Sequence, residues 1–250
     1  MQVTGLAFDL QLATFIFMIS PRVKNTLALG DYELRGQFML GSNYTFLVDV
    51  HHEGETIKAV YKPSKGEQPL WDFPDNTLAL REVAAYELSE ALGFHIVPVT
   101  VYRDDGPHGP GSLQQYLDYD IEYHYFNFTP EDKHKLRPVV LFDLLANNAD
   151  RKGSHVFFEE ETRHLYAIDH GICFHEEPKL RTVLWDFAGQ PIPDELLTPL
   201  FFTQSWSGVL ESYLSPKEIR ALIRRADELC KTKVFPRPAQ GRRMYPYPPI

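Results

Sequence analysis

The sequence predicts an α+β chain in two lobes, a β-rich half with one helix followed by a mostly helical half. Three observations carry this. Residues 32–63 contain three strand-like runs, YELRGQFM, YTFLVDVH and TIKAVYKP, rich in β-branched and aromatic residues, with turn signals at Gly41-Ser42-Asn43 and Glu53-Gly54. Past residue 128 come two helix-start signatures, Thr129-Pro130-Glu131-Asp132 and the capping box Ser215-Pro216-Lys217-Glu218. Between the strand-like runs and these signatures, DDGPHGPG punctuates the chain and sets a boundary near Gly106 to Gly111.

The elements follow in order. Residues 6–19 (LAFDLQLATFIFMI) are apolar but interrupted by Asp9, with no basic residue before them. They fit neither a secretory signal nor a membrane span of about 20 apolar residues. They read as an element packed on the body or, if translation starts at Met18, as part of an extension, and residues 1–29 are set aside as N-terminal. The three strand-like runs form an antiparallel set. After the loop SKGEQPLWDFPD a helix spans about 77–92, with Leu78, Ala85, Leu88 and Leu92 on one face and Gly93 as its stop. Residues 95–103 read as a strand and SLQQYL as a short one. This gives one lobe over 30–110 and a second over 111–235.

In the second lobe a helix runs from Pro130 to about Asn147, two short strands bracket the acidic turn EEET, and a helix spans about 216–231. Trp71, Trp185 and the many tyrosines read as core. Residues 236–250, rich in proline, read as an extended or disordered, solvated tail.

Composition narrows the function classes. With 250 residues and 44% hydrophobic side chains the chain can bury a sizeable core. A formal net charge of -9 argues against a nucleic-acid partner and against an anionic membrane surface. Two cysteines, Cys173 and Cys230, support neither a disulfide framework nor a four-cysteine zinc site, and suit a reducing cytoplasm.

Four residues carry chemistry that would converge in a cleft between two lobes: Lys62 at a strand end, Glu82 early in the following helix, Asp150 after the long helix, and Asp169 before His170-Gly171. Phosphoryl transfer uses these residue types. A lysine neutralises nucleotide phosphates, a glutamate holds the lysine, one carboxylate positions the attacking group, and another binds a divalent ion bridging the phosphates. The strand–turn–strand over 36–44, with Ser42 and Asn43 at its turn, offers backbone N–H groups to phosphates.

The words GSNYTFLV, AVYKPSKGEQPLWDFP, LREVAAYELSEALGF, NNADRKGSH and AIDHGICF occur in this order over about residues 30–190. In them the chain resembles bacterial phosphatidylinositol 3/4-kinase-like proteins, related to the type II phosphatidylinositol 4-kinases. The resemblance implies a two-lobed protein-kinase-like fold with ATP and Mg²⁺ or Mn²⁺. It implies that Lys62 contacts phosphate and pairs with Glu82, that Asp150 is the catalytic aspartate, and that Asp169 binds metal. Arg151 becomes a structural or phosphate-facing partner, and Gln114 to Leu117, including Tyr116, a hinge that meets adenine.

One departure concerns the metal. The family word is Asp-Arg-His-x-x-Asn, and here His155 stands five residues after Asp150 in the place of the Asn. Imidazole suits Zn²⁺ or Mn²⁺-like ions better than Mg²⁺, which prefers oxygen. The expected function is ATP-dependent phosphotransfer to a protein or small-molecule hydroxyl. The alternatives are a nucleotide-binding pseudokinase and a metal-dependent hydrolase built from Asp150, His155, Asp169, His170 and His175. The sequence gives no indication of a phosphoinositide acceptor.

Overall fold

The computed structural model describes residues 21–38, 44–239, 241 and 243–250. The chain divides into two compact units, residues 1–79 with 98–118, and residues 80–97 with 119–250.

The first unit is built on one antiparallel sheet. Helix α1 (described over residues 21–29) precedes β1 (Asp31–Gln37), β2 (Phe46–His52), β3 (Glu55–Pro63), β4 (Thr100–Arg103) and β5 (Gly111–Gln115), in the spatial order β1-β2-β3-β5-β4. The expected hairpin at Glu53-Gly54 is present, with His52 opposite Glu55. Both turn residues adopt positive φ, 47° and 82°, which matches the primed turns that follow the right-handed strand twist. Alternation along β3 buries Ala59, Tyr61 and Pro63 and turns Lys58, Val60 and Lys62 to the other face. β5 lies between β3 and β4, so Lys62 stands opposite Ser112.

Two expectations for this region are corrected. The strand expected over 95–103 is confined to Thr100–Arg103. His95 takes a left-handed φ of 51°, and Pro98 has no N–H to give a ladder. Trp71, expected in the core, is 92% exposed.

The expected helix near 77–92 is α2 (Leu78–Ala91). The Glu67 carboxylate accepts the Leu78 and Ala79 N–H groups at 3.1 and 2.8 Å, placing an anion on otherwise orphaned donors at the positive helix end.

The second unit is mostly helical: α3 (Pro130–His134), α4 (Arg137–Ala146), α5 (Asp194–Leu197), α6 (Thr203–Ser207) and α7 (Pro216–Thr232), with the small hairpin β6 (Val156–Phe158) and β7 (Leu165–Ala167). The single helix expected over 130–147 is two. Pro138 cannot donate to the His134 carbonyl, and the chain restarts at Arg137. Both start signals hold: Thr129 accepts from Asp132 N–H, and Ser215 with Glu218 forms a reciprocal capping box. The turn between β6 and β7 is closed by the Glu159 carboxylate, which accepts the Glu161 and Thr162 N–H groups. Leu141, Phe142, Leu145, Trp206, Leu222 and Ala226 are buried in the core of this unit.

The tail expected over 236–250, and Phe235 just before it, are held in part against the rest of the second unit. Phe235 is buried and tilts against Phe187. Further on, Thr182 N–H donates to the Met244 carbonyl at 3.0 Å and Gly153 N–H to the Pro249 carbonyl at 2.8 Å. Among the described residues, no helix is long and apolar enough to cross a membrane.

Candidate functional site

The loop after α4 begins with two asparagines that do different work. Asn147 ends the helix in the left-handed region, φ 56°, a conformation that Asn tolerates better than most residues. Its side chain donates to the His175 and Glu177 carbonyls at 3.0 and 2.7 Å and accepts the Lys179 N–H at 2.9 Å. Asn148 is fully buried; its amide donates to Asp143 at 3.1 Å while its oxygen accepts the Asp150 N–H at 2.9 Å. The backbone that presents Asp150 is therefore fixed from both ends of one side chain.

Arg151 is the centre of the construction. It is fully buried, and its five N–H groups all find acceptors. Nε and one Nη reach the Asp143 carboxylate at 2.9 and 3.0 Å, and the same Nη meets His170 Nε2 at 2.8 Å. The other Nη donates to the His155 and Ile168 carbonyls at 3.2 and 2.6 Å. Burial works against the guanidinium charge, but the adjacent Asp143 carboxylate more than offsets it and holds the pKa above the ordinary value. Of the two roles open to Arg151, structural or phosphate-facing, the geometry leaves the structural one.

That side chain ties two loops together, one carrying Asp150 and one carrying Asp169. Asp169 adopts a left-handed φ of 63°, and its half-exposed carboxylate lies 3.3 Å from His155 Nε2. Lys152 N–H points to His155 Nδ1 at 3.5 Å, and Lys152 Nζ lies 3.3 Å from the Asp150 carboxylate. The Asp150 carboxyl is held above its ordinary range, first by burial, with Asp169 adding and Lys152 opposing.

The helix α2 adds two neighbouring residues. Arg81 is buried, donating to the Cys173 carbonyl at 2.7 Å and to the Glu218 carboxylate. Glu82, expected to hold Lys62, has Oε2 accepting the His170 N–H at 2.9 Å. The remaining bonds close the Asp169 loop on the Asp150 loop: Ala149 N–H to the Ile172 carbonyl, Phe174 N–H to that of Ala146, and Ile168 N–H to that of His155.

In the first unit, Lys62 is half-buried on β3. Gln114 is buried, its amide donating to the Thr100 hydroxyl at 2.9 Å, and Tyr116 N–H donates to the Lys58 carbonyl at 2.9 Å. Ser42 and Asn43 lie outside the described residues.

The histidine centre is not assembled. Among the described residues no group of three or more His, Cys, Asp or Glu side chains is placed to hold a metal. His170 faces Arg151, and His175 Nδ1 accepts the Glu177 N–H at 2.9 Å. The Asp169 carboxylate and His155 Nε2, 3.3 Å apart, are a two-residue set, suited to a divalent ion only if its other ligands come from phosphates and water.

Sequence reasoning passed over Asp143, Asn147, Asn148 and Arg81. One signal was available for Asp143, an acid inside the apolar run LFDLLA on the buried side of a helix, where an unpaired charge is costly.

No family model matches the chain. Among solved structures, the Helicobacter pylori proinflammatory kinase CtkA superposes with a TM-score of 0.51 at 13% identity, covering 84% of this chain and 94% of that one. The Golgi casein kinase with Mn/ADP bound gives 0.56 at 13% identity, covering 93% and 81%. These likenesses are of fold, and the expected α+β kinase-like architecture is present. Protein Rv2133c of Mycobacterium tuberculosis is 37% identical over an alignment that covers 89% of this chain and 93% of that protein. Identity at that level over nearly the whole of both chains makes this protein a member of the Rv2133c family.

Proposed function

We propose that the protein transfers a phosphoryl group from ATP to a hydroxyl on a protein or small molecule. One observation supports this above the others: a single buried guanidinium, Arg151, is bonded to the carbonyls of both His155 and Ile168, and so holds together the loops that present Asp150 and Asp169. Phosphoryl transfer depends on positioning and on charge placed in advance, and two carboxylates on mutually fixed loops supply that. The kinase-like fold of CtkA and the Golgi casein kinase agrees with the reading.

In this assignment Asp150 orients the acceptor hydroxyl and receives its proton, a role that the upward shift of its pKa favours by bringing it closer to neutral pH. Asp169, with His155 Nε2 beside it, would hold Mg²⁺ or Mn²⁺, which when bound neutralises phosphate charge. Lys62 serves the phosphates, the role that the resemblance gives it. Adenine would meet the segment Gln114 to Leu117, the hinge that the resemblance implies. The narrower kinship with phosphatidylinositol 3/4-kinase-like proteins rests on the five sequence words and concerns the nucleotide machinery, while the acidic net charge favours a soluble acceptor. The free thiols Cys173 and Cys230 agree with a cytoplasmic setting.

A second reading, a nucleotide-binding regulator without turnover, is favoured by His155 where the family word has Asn. Titration calorimetry with ATP and Mg²⁺ or Mn²⁺, alongside ADP formation, separates the two. Asp169→Ala should abolish metal-dependent nucleotide binding, whereas Asp150→Ala should stop transfer and keep binding. If both variants retain full transfer, the assignment is wrong; nucleotide binding without ADP in the parent protein selects the regulator.

A further inference from the structure

We infer, on the phosphotransfer reading, that Arg181 determines which acceptor is used. Its guanidinium, fixed beside Asp150, takes a carboxylate that the acceptor carries close to the hydroxyl receiving the phosphoryl group. The acceptor is then an anionic hydroxyl compound, an acidic serine or threonine peptide or a small hydroxy acid.

The backbone puts Arg181 there. Arg181 N–H donates to the Asn148 carbonyl at 2.9 Å, and the Arg181 carbonyl accepts the Arg151 N–H at 3.0 Å. Two residues on, Val183 N–H donates to the Arg151 carbonyl at 3.2 Å, and Thr182 forms a parallel bridge with Arg151. Asn148 in turn accepts the Asp150 N–H on its side-chain oxygen. Both polar backbone groups of Arg181 are therefore bonded to the loop that presents Asp150, and strands so paired lie about 4.8 Å apart.

The side chain has no such tie. Arg181 is half-buried, and among the described residues its guanidinium has neither a hydrogen bond nor an ion pair. The cations around it are engaged: Arg151 with Asp143, Lys152 with Asp150, and Lys179 with Glu177. Its charge still reaches Asp150, where burial and Asp169 push the carboxyl up and Lys152 and Arg181 oppose them. An arginine on an open surface is ordinarily just solvated. This one is fixed next to the acid that meets the acceptor, and its planar fork matches a carboxylate in a way that a point charge does not. In an extended peptide an acid one to three residues from the accepting serine lies within about 10 Å of it, a range over which salt screens the attraction only in part.

Transfer from ATP should be compared within two acceptor pairs: a serine peptide flanked by glutamates against the same peptide with glutamines, and glycerate against glycerol. The parent should favour the acidic member of one pair by about tenfold in kcat/KM, mainly through KM, and that pair identifies the source of the carboxylate. Arg181→Gln should bring the ratio to about one, and Arg181→Lys should keep part of it. A general loss of folding lowers both rates and leaves the ratio alone. Fluorescence anisotropy of the glutamate peptide without nucleotide gives a second readout, with the parent binding about tenfold more tightly than Arg181→Gln. If transfer occurs, equal use of both members of both pairs, or a preference that survives Arg181→Gln, overturns the inference. If no transfer occurs, a difference in peptide binding upholds the carboxylate contact while the phosphotransfer reading falls, and equal binding overturns the contact as well.

Discussion

The guanidinium of Arg151 and the carboxylate of Asp143 form a fully buried ion pair, Nε to Oδ2 2.9 Å, with side-chain exposures of 0% and 1%. A buried pair is weak evidence of net stabilisation, because desolvating two charges offsets much of their attraction. Removing one member is a different matter. Asp143→Ala should strand the guanidinium and cost about 3–5 kcal/mol, read from denaturant midpoints. The double variant Asp143→Leu with Arg151→Leu should cost less than the sum of the two single changes. A single-variant loss of under about 1 kcal/mol, the level of an exposed pair, contradicts the account.

Asp150 gives a pH-dependent prediction. Burial is the largest cause of its raised pKa, so the folded state disfavours its charged form. A raised carboxyl contributes stability that is present below its unfolded pKa and is lost as pH rises through the folded value. Asp150→Asn cannot ionise, so its thermal midpoint should match the parent in acid and exceed it increasingly as pH rises past the usual carboxylate range. A gap that instead narrows on raising the pH reverses the sign and refutes the argument.

Gly111 sets the register opposite the strand that carries Lys62. A Cβ there would overlap the Lys62 carbonyl and lie 2.7 Å from Pro63 Cα, and both neighbours are backbone that cannot rotate aside. Gly111→Ala should therefore destabilise the β3–β5 pairing by about 1–3 kcal/mol, the range for overpacking. Thermal unfolding of the variant checks this, and an unchanged midpoint counts against it.

Two histidines of the second unit should titrate in opposite directions. The Glu90 carboxylate, 2.9 Å from His95 Nδ1, raises that residue's pKa, while burial lowers that of His164, whose Nε2 donates to the His95 carbonyl at 2.8 Å. His95 contributes stability present in acid and lost as pH rises through its raised pKa. His164 contributes stability present above its unfolded pKa and lost as pH falls through its lowered one. Proton NMR should show the His95 midpoint above the ordinary histidine value and that of His164 below it. Glu90→Gln should bring His95 back toward that value, and a midpoint that stays put would show that Glu90 is not the cause.

The sequence made legible whatever depends on neighbours along the chain. Glu53-Gly54 dictated a hairpin because two consecutive residues had to accept positive φ. Ser215 and Glu218 marked a helix start because the reciprocal bonds span three residues. Local pattern was also where the reading overreached. Residues 95–99 had strand-like composition but include Pro98, which has no N–H for a ladder, and the helix signal over 130–147 ran across Pro138.

What the sequence determined by itself was the succession of elements and the short words that hold Asp150, His155 and Asp169. Only the tertiary structure decided what positions them. Arg151 is bonded to Asp143, eight residues earlier, and to His170, nineteen later; the Glu82 carboxylate meets the His170 N–H, eighty-eight residues away. Local propensity carries no record of such pairs. They arise because a buried charge or donor must find a partner of matching geometry, and that partner is set by packing rather than by sequence distance.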